Sequence, residues 1–169
     1  MGYLWTRLNL ARLYSEAEWE AAQAQAKREA ELRAAEILPT TAATPKGKWI
    51  LWVDDLPANN DAEMTMLKHN LGVEIEPCVT TDDAIKRIKA DPGKYSLVIS
   101  DMARPRDRQA GYTLLKQLRG QDFTKPFIIY SSSGRPEHDA EARRNGAEGS
   151  TNSPLKLLEL VSDALRRAG

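Results

Sequence analysis

Short apolar runs alternate with stretches of helical spacing from residue 48 to residue 167, and this alternation constrains the fold more than any other feature. Residues 49–53 form a continuous apolar run, which is typical of a strand buried on both faces. Strands are predicted at residues 49–53, 73–77, 95–100, 126–130 and 147–151. Helices are predicted at residues 60–71, 80–89, 110–119, 136–145 and 154–167. Five strands that alternate with five helices predict an α/β fold with a parallel sheet covered on both faces.

Local signals mark where some of these helices begin and end. Gly72 and Gly146 directly follow two of the predicted helices, and glycine is the usual residue after a helix C-terminus. Thr81 or Asp82 is the predicted N-cap of the helix at 80–89, because their side-chain oxygens can accept from a free backbone amide.

The first 38 residues predict a helix of a different kind. Residues 15–38 contain no Gly or Pro and are mostly Ala, Glu, Gln, Lys and Arg, the strong helix formers. A linker rich in Thr and Pro follows at residues 39–47. We therefore predict an N-terminal helix and linker at residues 1–45, followed by a separate domain at residues 46–169.

Three roles for the N-terminal helix stay open. Its large apolar residues crowd the front half, where Trp5 and Trp19 lie two heptads apart, so the helix could form a homodimer. It could instead dock on its own globular domain, with Leu32 and Ile37 as the large apolar residues of its rear half. A membrane-surface anchor is the third alternative, since residues 1–6 match the myristoylation pattern.

The composition excludes several classes of function. The chain has 24 basic and 24 acidic residues and a formal net charge of zero, so no general electrostatic attraction draws it to nucleic acid. Cys78 is the only cysteine, which excludes an intramolecular disulfide and a zinc site made of cysteines. No apolar run approaches the roughly 18 residues of a transmembrane helix, and no signal peptide opens the chain. We therefore expect a cytoplasmic protein without a transmembrane segment.

Acidic residues follow two of the predicted strands. Asp54 and Asp55 come directly after the first strand, Asp101 after the third, and three serines at residues 131–133 after the fourth. If the strand order is the flavodoxin-like 2-1-3-4-5, these strands are neighbours and their carboxyl ends meet at one edge. Three carboxylates so close together repel each other unless a cation binds, and an all-oxygen set favours Mg²⁺. The alternative is that each aspartate only caps the turn that follows its strand.

Four motifs carry a resemblance to a known family. They are ILWVDD at residues 50–55, LVISD at 97–101, PFIIYS at 126–131 and GAEG at 146–149. Over residues 48–168 the sequence resembles a response-regulator receiver domain of two-component signalling. The resemblance implies a doubly wound five-stranded parallel sheet, here with an N-terminal helical extension.

The resemblance also implies roles for single residues. Asp101 would be the phosphate acceptor, which attacks a phosphoryl donor as a carboxylate nucleophile. Asp54, Asp55, Asp101 and the backbone carbonyl of Ala103 would hold Mg²⁺. Ser131 would supply the hydroxyl that bonds the phosphoryl oxygen, with the amide of Ser132 beside it; the donor would be a histidine kinase or a phosphotransfer protein.

The sequence departs from the family pattern after the fifth strand. Receivers usually carry a Lys just before the Pro that follows this strand, and here Ser153 stands in its place. A serine offers a hydrogen bond but no charge, so the phosphorylated state is expected to be less stabilised. Arg104 and Lys156 are the two candidate substitute cations.

Two smaller departures lie nearby. The loop from Pro105 to Gly111 is about two residues longer than the usual form, and Ser150 stands where receivers commonly have an aromatic residue. Together with Ser153, these differences leave three functions open. The first is a phosphorylation switch that changes contacts with a downstream protein partner, and the second is a phosphorylation-independent binding or dimerisation module. The third is a Mg²⁺-dependent phosphohydrolase, for which the usual second acid of an Asp-x-Asp motif is missing.

Overall fold

A computed structural model describes residues 15–38 and 46–168 of the chain. Trp5, on which the predicted dimer interface depends, lies outside the described residues, as does most of the predicted linker. None of the helices in the described segments has the length and apolar content needed to cross a bilayer.

Five strands form a single parallel sheet. They are β1 (Trp49–Val53), β2 (Glu74–Cys78), β3 (Tyr95–Ser100), β4 (Phe127–Tyr130) and β5 (Gly149–Thr151). Their order across the sheet is β2-β1-β3-β4-β5, which confirms the predicted fold class and strand order. In this order β1, β3 and β4 are adjacent, so their carboxyl ends meet at one edge of the sheet.

Within residues 15–38 and 46–168, six α-helices accompany the sheet. They are α1 (Glu16–Glu36), α2 (Asp61–Leu71), α3 (Thr81–Ala90), α4 (Ala110–Gly120), α5 (Pro136–Arg144) and α6 (Pro154–Ala168). A short 3₁₀ turn at Pro57–Asn60 precedes α2. Gly72 after α2 has φ +66° and Gly146 after α5 has φ +96°. Both glycines that were predicted to end a helix therefore adopt the left-handed backbone conformation that favours glycine.

The structure corrects the prediction for the start of α3. The N-cap is Thr80, and neither Thr81 nor Asp82 has that role. Thr80 has an extended backbone, with φ −131° and ψ 154°, and its hydroxyl oxygen accepts from the amide of Asp83 at 3.1 Å. The extended conformation is what allows a side chain to turn back onto the first helical turn.

Some strand bounds differ from the prediction by one or two residues. Strands β1 and β3 begin and end at the predicted residues, whereas β4 begins at Phe127 and β5 at Gly149. Pro126 has no amide hydrogen to donate, although its carbonyl accepts from the amide of Val98 at 3.0 Å. The proline therefore lies at the beginning of the ladder and outside the strand itself.

The side chains of β1 alternate between two apolar layers. Ile50 and Trp52 pack in the layer beneath α2 and α6, and Leu51 and Val53 pack in the opposite layer beneath α3 and α4. Because both faces of the strand are covered, all four side chains are fully buried. This two-sided burial is why the strand reads as a continuous apolar run.

Helix α1 docks on the same domain, packing against α2 and α6. Ala35 is fully buried in the layer beneath these helices, and Leu32 packs against it. The buried side chain of Asn70 donates from Nδ2 to the carbonyl of Ala35 at 2.9 Å. For residues 16–36 the structure therefore shows the docked arrangement.

Two details of α1 qualify the predictions made for it. Ile37 is 85% exposed, so of the two large apolar residues expected in the rear half only Leu32 takes part in docking. A capping box starts the helix: Ser15 accepts from the amide of Glu18, and the Glu18 carboxylate accepts from the amide of Ser15. The homodimer and the domain boundary after residue 45 stay predictions.

We expect Ala35→Arg to lower the free energy of unfolding by about 1–3 kcal/mol, because it forces a charged side chain into a fully buried position. Ala22→Arg, on an exposed position of the same helix, is the matched control and is expected to change stability by about 0.5 kcal/mol or less. Urea unfolding of both variants measures the difference. Equal stabilities of the two variants would contradict the docking of α1.

Candidate functional site

Three carboxylates converge at the edge where β1 and β3 end. Asp54 and Asp55 follow β1, and Asp101 follows β3, its neighbour in the sheet. One carboxylate oxygen from each residue lies within 4.8 Å of the other two. The predicted cluster of acids is therefore present, and it follows from the adjacency of the two parallel strands.

Asp54 is held by the turn that follows it. Its Oδ1 accepts from the amide of Leu56 and its Oδ2 from the Nδ2 of buried Asn60, both at 2.8 Å. The capping role considered as the alternative is thus real for this aspartate. It does not exclude binding of a cation, since each carboxylate oxygen keeps a further lone pair.

Asp101 is buried and carries an ion pair. Its Oδ1 lies 2.5 Å from Nη1 of Arg104, a side chain that is only 7% exposed. Burial raises the pKa of Asp101 to about 7, the charge of Asp54 and the contact with Asp55 act in the same direction, and Arg104 opposes the shift. Without a bound cation, the acceptor candidate therefore titrates near neutral pH.

Arg104 is fixed by polar groups on several sides. Its guanidinium donates to the hydroxyl of Thr81 at 2.5 Å, to that of Ser100 at 3.2 Å and to the carbonyl of Ala110 at 3.3 Å. Paired backbone hydrogen bonds with Asp107, at 2.9 and 3.0 Å, close the loop that carries it. The extended loop after β3 therefore positions a cation on Asp101.

Gly111 lets α4 start close to the acidic cluster. Its amide donates to the carbonyl of Met102 at 2.9 Å, and a Cβ on this residue would lie 2.7 Å from the backbone oxygen of Asp101. Any other residue would therefore push the helix away from the acceptor.

The structure distinguishes between the two candidate substitute cations. Arg104 contacts Asp101 directly, whereas Lys156 pairs with Glu159 at 3.3 Å on the surface of α6. Lys156 lies one turn beyond Ser153, and its half-exposed side chain points to a neighbour on its own helix. Lys156 is therefore not part of the candidate site.

A cavity of about 810 Å³ opens above the acids. It is lined by the predicted residues Asp54, Asp101, Ala103, Ser131 and Ser132. The other predicted site residues lie outside this lining; they are Asp55, Arg104, Ser153 and Lys156. The cavity therefore joins the acceptor candidate to the predicted hydroxyl of β4, but not to the serine at the family's lysine position.

Ser153 faces helix α1 instead of the cavity. Its hydroxyl donates to Oε2 of Glu31 at 2.9 Å and accepts from the amide of Lys156 at 3.1 Å. Through the second bond, the serine hydroxyl caps the first turn of α6. The serine therefore links the end of β5 to the N-terminal helix.

Several residues of the cavity wall were not predicted from the sequence. Arg28 and Gln25 reach it from α1, Asn152 from the end of β5, and His138 from α5. His138 is exposed, and its Nδ1 is hydrogen-bonded to the hydroxyl of Ser133 at 2.5 Å. No pattern in the sequence marks them, because one Arg or Gln in a run of helix formers gives no signal of where the helix docks.

The donor set fits a divalent cation. The candidate ligands are three carboxylates and the backbone carbonyl of the nearby residue Ala103. All of them are oxygen atoms, which suits Mg²⁺. The burial of Asp101 and the closeness of the acids make an added positive charge favourable there.

We expect the stability of Asp101→Asn relative to that of wild type to rise by about 1–2 kcal/mol between about pH 5 and pH 8 without Mg²⁺. The folded protein holds the proton of Asp101 up to a pKa of about 7, above its ordinary value of 3.8. Stability of wild type is therefore lost as the pH rises through this window, and asparagine does not ionise. Urea unfolding across the pH range measures this rise, with exposed Asp91→Asn as control. Parallel pH profiles of Asp101→Asn and wild type would contradict the prediction.

Solved structures of similar fold are receiver domains. That of a Francisella response regulator matches with a TM-score of 0.63 and 24% identity, over 73% of this chain and 100% of that chain. The chemotaxis response regulator CheY4 of Vibrio cholerae matches with a TM-score of 0.57 and 23% identity, over 71% of this chain and 100% of that chain. A CheY-like receiver domain protein from Methanospirillum hungatei matches with a TM-score of 0.59 and 22% identity, over 73% of this chain and 97% of that chain.

No protein-family model and no curated protein matches the sequence. The likeness lies in the structure, at identities below those that carry a function from one protein to another. The strand order, the helices and the position of the acids agree with the resemblance seen in the four sequence motifs. The chain has the fold of the response-regulator receiver domains.

Proposed function

We propose that this protein is a phosphoryl-accepting signalling switch of the two-component type, with Asp101 as the acceptor. One observation carries the proposal: the buried carboxylate of Asp101 lies within 4.8 Å of those of Asp54 and Asp55, and shares a cavity with Ser131. A buried acid among acids, beside an open cavity, is the arrangement of a reactive group.

The transfer step uses the carboxylate as a nucleophile. An oxygen of Asp101 attacks the phosphorus of the donor, a bond from oxygen to phosphorus forms, and the donor atom leaves with the electron pair of the bond that breaks. Arg104 holds Oδ1, so Oδ2 is the oxygen to which no described residue donates. Asp54, Asp55, Asp101 and the carbonyl of Ala103 would hold Mg²⁺, which when bound neutralises the charge of the phosphoryl oxygens.

The serines after β4 would bind the phosphoryl group once it is attached to Asp101. Ser131 and Ser132 line the cavity, and the hydroxyl oxygen of Ser131 accepts from the amide of Ser133 at 3.3 Å. Its hydroxyl hydrogen is available to donate to a phosphoryl oxygen. Such a contact would draw the loop after β4 toward Asp101 and change the surface that a partner protein meets.

The same proposal names the partners. A histidine kinase or a phosphotransfer protein supplies the phosphoryl group, and a downstream protein reads the changed surface. The chain itself is not an enzyme in this scheme, since it only accepts a group onto its own Asp101. Its location in the cytoplasm and a homodimer through the N-terminal helix belong to the proposal as well.

A phosphorylation-independent binding module is the second candidate. The observation that favours it is Ser153, which carries no charge and whose hydroxyl is bonded to Glu31, outside the cavity lining. In that case the acids would serve only to hold the loops of the sheet edge, and the docked α1 would be part of the binding surface.

We expect wild type to take up one phosphoryl group from acetyl phosphate only when Mg²⁺ is present, because the charges of three acids and a phosphoryl group need a cation. Intact-mass spectrometry measures the uptake. Asp101→Asn is expected to take up none, and Asp91→Asn, an exposed acid remote from the cluster, to behave as wild type. If no uptake occurs from acetyl phosphate or from a phosphorylated histidine phosphotransfer protein, the binding module becomes the better explanation.

We expect Asp55→Asn to weaken Mg²⁺ binding by roughly tenfold or more, because it removes one of three charged ligands. Asp61→Asn, an exposed acid in the first turn of α2 and outside the cluster, is the matched control. Isothermal titration calorimetry near pH 8 measures both. Titration curves of Asp55→Asn that overlay those of the control would remove the metal site.

A further inference from the structure

One face of helix α1 forms part of the wall of the acceptor cavity. Ala21, Ala24, Gln25 and Arg28 line it, and their spacing of three, four and seven residues places them on the same side of the helix. Arg28 is the only charged residue of this face that reaches the cavity. A segment predicted to be a separate extension therefore contributes a guanidinium to the candidate site.

Arg28 is anchored by a carboxylate on α2. Its Nε lies 2.5 Å from Oε1 of Glu63 and its Nη2 lies 2.9 Å from Oε2, so two parallel hydrogen bonds join the groups. Glu63 is 0% exposed, whereas Arg28 keeps 29% of its side chain exposed. The hydrogen bond to Glu63 raises the pKa of Arg28, so the guanidinium stays charged.

The anchoring leaves part of the guanidinium unused. Nη2 also donates to the carbonyl of Asn59 at 3.2 Å, and the nearby hydroxyl of Tyr130 helps to raise the pKa of Arg28. Among residues 15–38 and 46–168, no acceptor lies within hydrogen-bond distance and angle of Nη1. Arg28 is thus oriented by Glu63 and still has two N–H groups to offer to a ligand.

The pair also contacts two residues that are neighbours in sequence of the candidate site. Asn59, which accepts from Arg28, is followed by Asn60, the residue that holds Asp54. The hydroxyl of Tyr130 lies 3.3 Å from Oε1 of Glu63, and Tyr130 directly precedes Ser131.

A phosphoryl group adds about −1.5 to −2 charges next to three acids, of which Mg²⁺ would neutralise a part. The guanidinium of Arg104 is already bonded to Asp101, Thr81 and Ser100, so a second arginine can add to the binding of the phosphoryl oxygens. Two arginines line the cavity, Arg28 and Arg108. Arg108 is exposed and makes no hydrogen bond with a described residue, so ordering it costs conformational entropy that the anchored Arg28 has already lost.

We propose that Arg28 is the cation that binds the phosphoryl group on Asp101, so that helix α1 completes the acceptor site that Ser153 leaves without a lysine. The inference rests on the proposed function and adds a residue and a segment to it. Linkage then makes phosphorylation and the docking of α1 support each other, because a group that binds only the docked arrangement also stabilises it.

The test uses beryllofluoride with Mg²⁺, which mimics a phosphoryl group on a carboxylate, and measures its dissociation constant on the full chain. Arg28→Gln is expected to weaken binding about tenfold or more, since it removes charged hydrogen bonds. Arg33→Gln, an exposed arginine of the same helix, is expected to bind within twofold of wild type. Arg108→Gln, the other arginine of the cavity wall, is expected to weaken binding less than Arg28→Gln, and the reverse order would overturn the inference. Equal constants for Arg28→Gln and Arg33→Gln would overturn the inference.

A second pair of variants separates phosphoryl binding from the neutralisation of Glu63. Arg28→Gln leaves the buried carboxylate unpaired, which by itself destabilises the docked helix. In Arg28→Gln with Glu63→Gln no charge is left unpaired, and we expect beryllofluoride binding to stay about tenfold weak. Glu63→Gln alone keeps Arg28, to which the glutamine oxygen can still accept a hydrogen bond, and is expected to bind more tightly than the double variant. Recovery of wild-type binding in the double variant would overturn the inference, because Arg28 would then only serve Glu63.

The same titrations distinguish the failure of this inference from that of the proposed function. Wild type that binds beryllofluoride, with Asp101→Asn that does not, supports the acceptor site independently of Arg28. Wild type that fails to bind overturns the proposed function and this inference together, whereas intact wild-type binding with an unaffected Arg28→Gln overturns only the role of Arg28.

Discussion

The repulsion among three carboxylates at the junction of β1 and β3 is the constraint on which the rest of the site depends. Their oxygens lie within 4.8 Å of each other, and Asp101 is buried, so the cluster is stable only with hydrogen-bond donors and positive charge around it. Asn60 supplies a donor to Asp54, and Arg104 supplies a charge to Asp101. Both come from the loops that follow the strands, so the loop conformations and the acids stabilise one another.

Helix α1 contributes to the same balance from outside the sheet. It brings Arg28 to the buried Glu63 and Glu31 to Ser153, and its Ala35 fills a place in the apolar layer beneath α2 and α6. Two of these three contacts are made by charged side chains at or near the acceptor cavity. If Asp101 accepts a phosphoryl group as proposed, these contacts would couple the docking of the helix to the charge in the cavity.

Much of the fold was predictable because its signals are local. The strands β1 and β3 show their two-sided burial as uninterrupted apolar runs, and Gly72 and Gly146 mark helix ends by the backbone that glycine allows. The N-cap of α3 was wrong by one residue, since Thr80, Thr81 and Asp82 are all good caps and only the extended backbone of Thr80 selects it. For the site, the strand ends predicted which acids and serines meet, but not which cation reaches them. Arg104 and Lys156 lie at similar distances in sequence from the strands that precede them, and of these two only Arg104 turns inward.

The sequence by itself determined the parallel sheet and the acids that follow its strands, because these follow from periodicity within short segments and from the way that parallel strands align their ends. The strand order came from the resemblance to receiver domains. Only the tertiary structure decided where α1 lies, that Ser153 bonds Glu31 and that Arg28 lines the cavity with Asp101. Residues Arg28 and Glu63 are 35 positions apart, and their pairing depends on how two helices pack. Such a contact has no local signature, since an arginine that binds a buried carboxylate and one that points into solvent occupy the same kind of helical sequence.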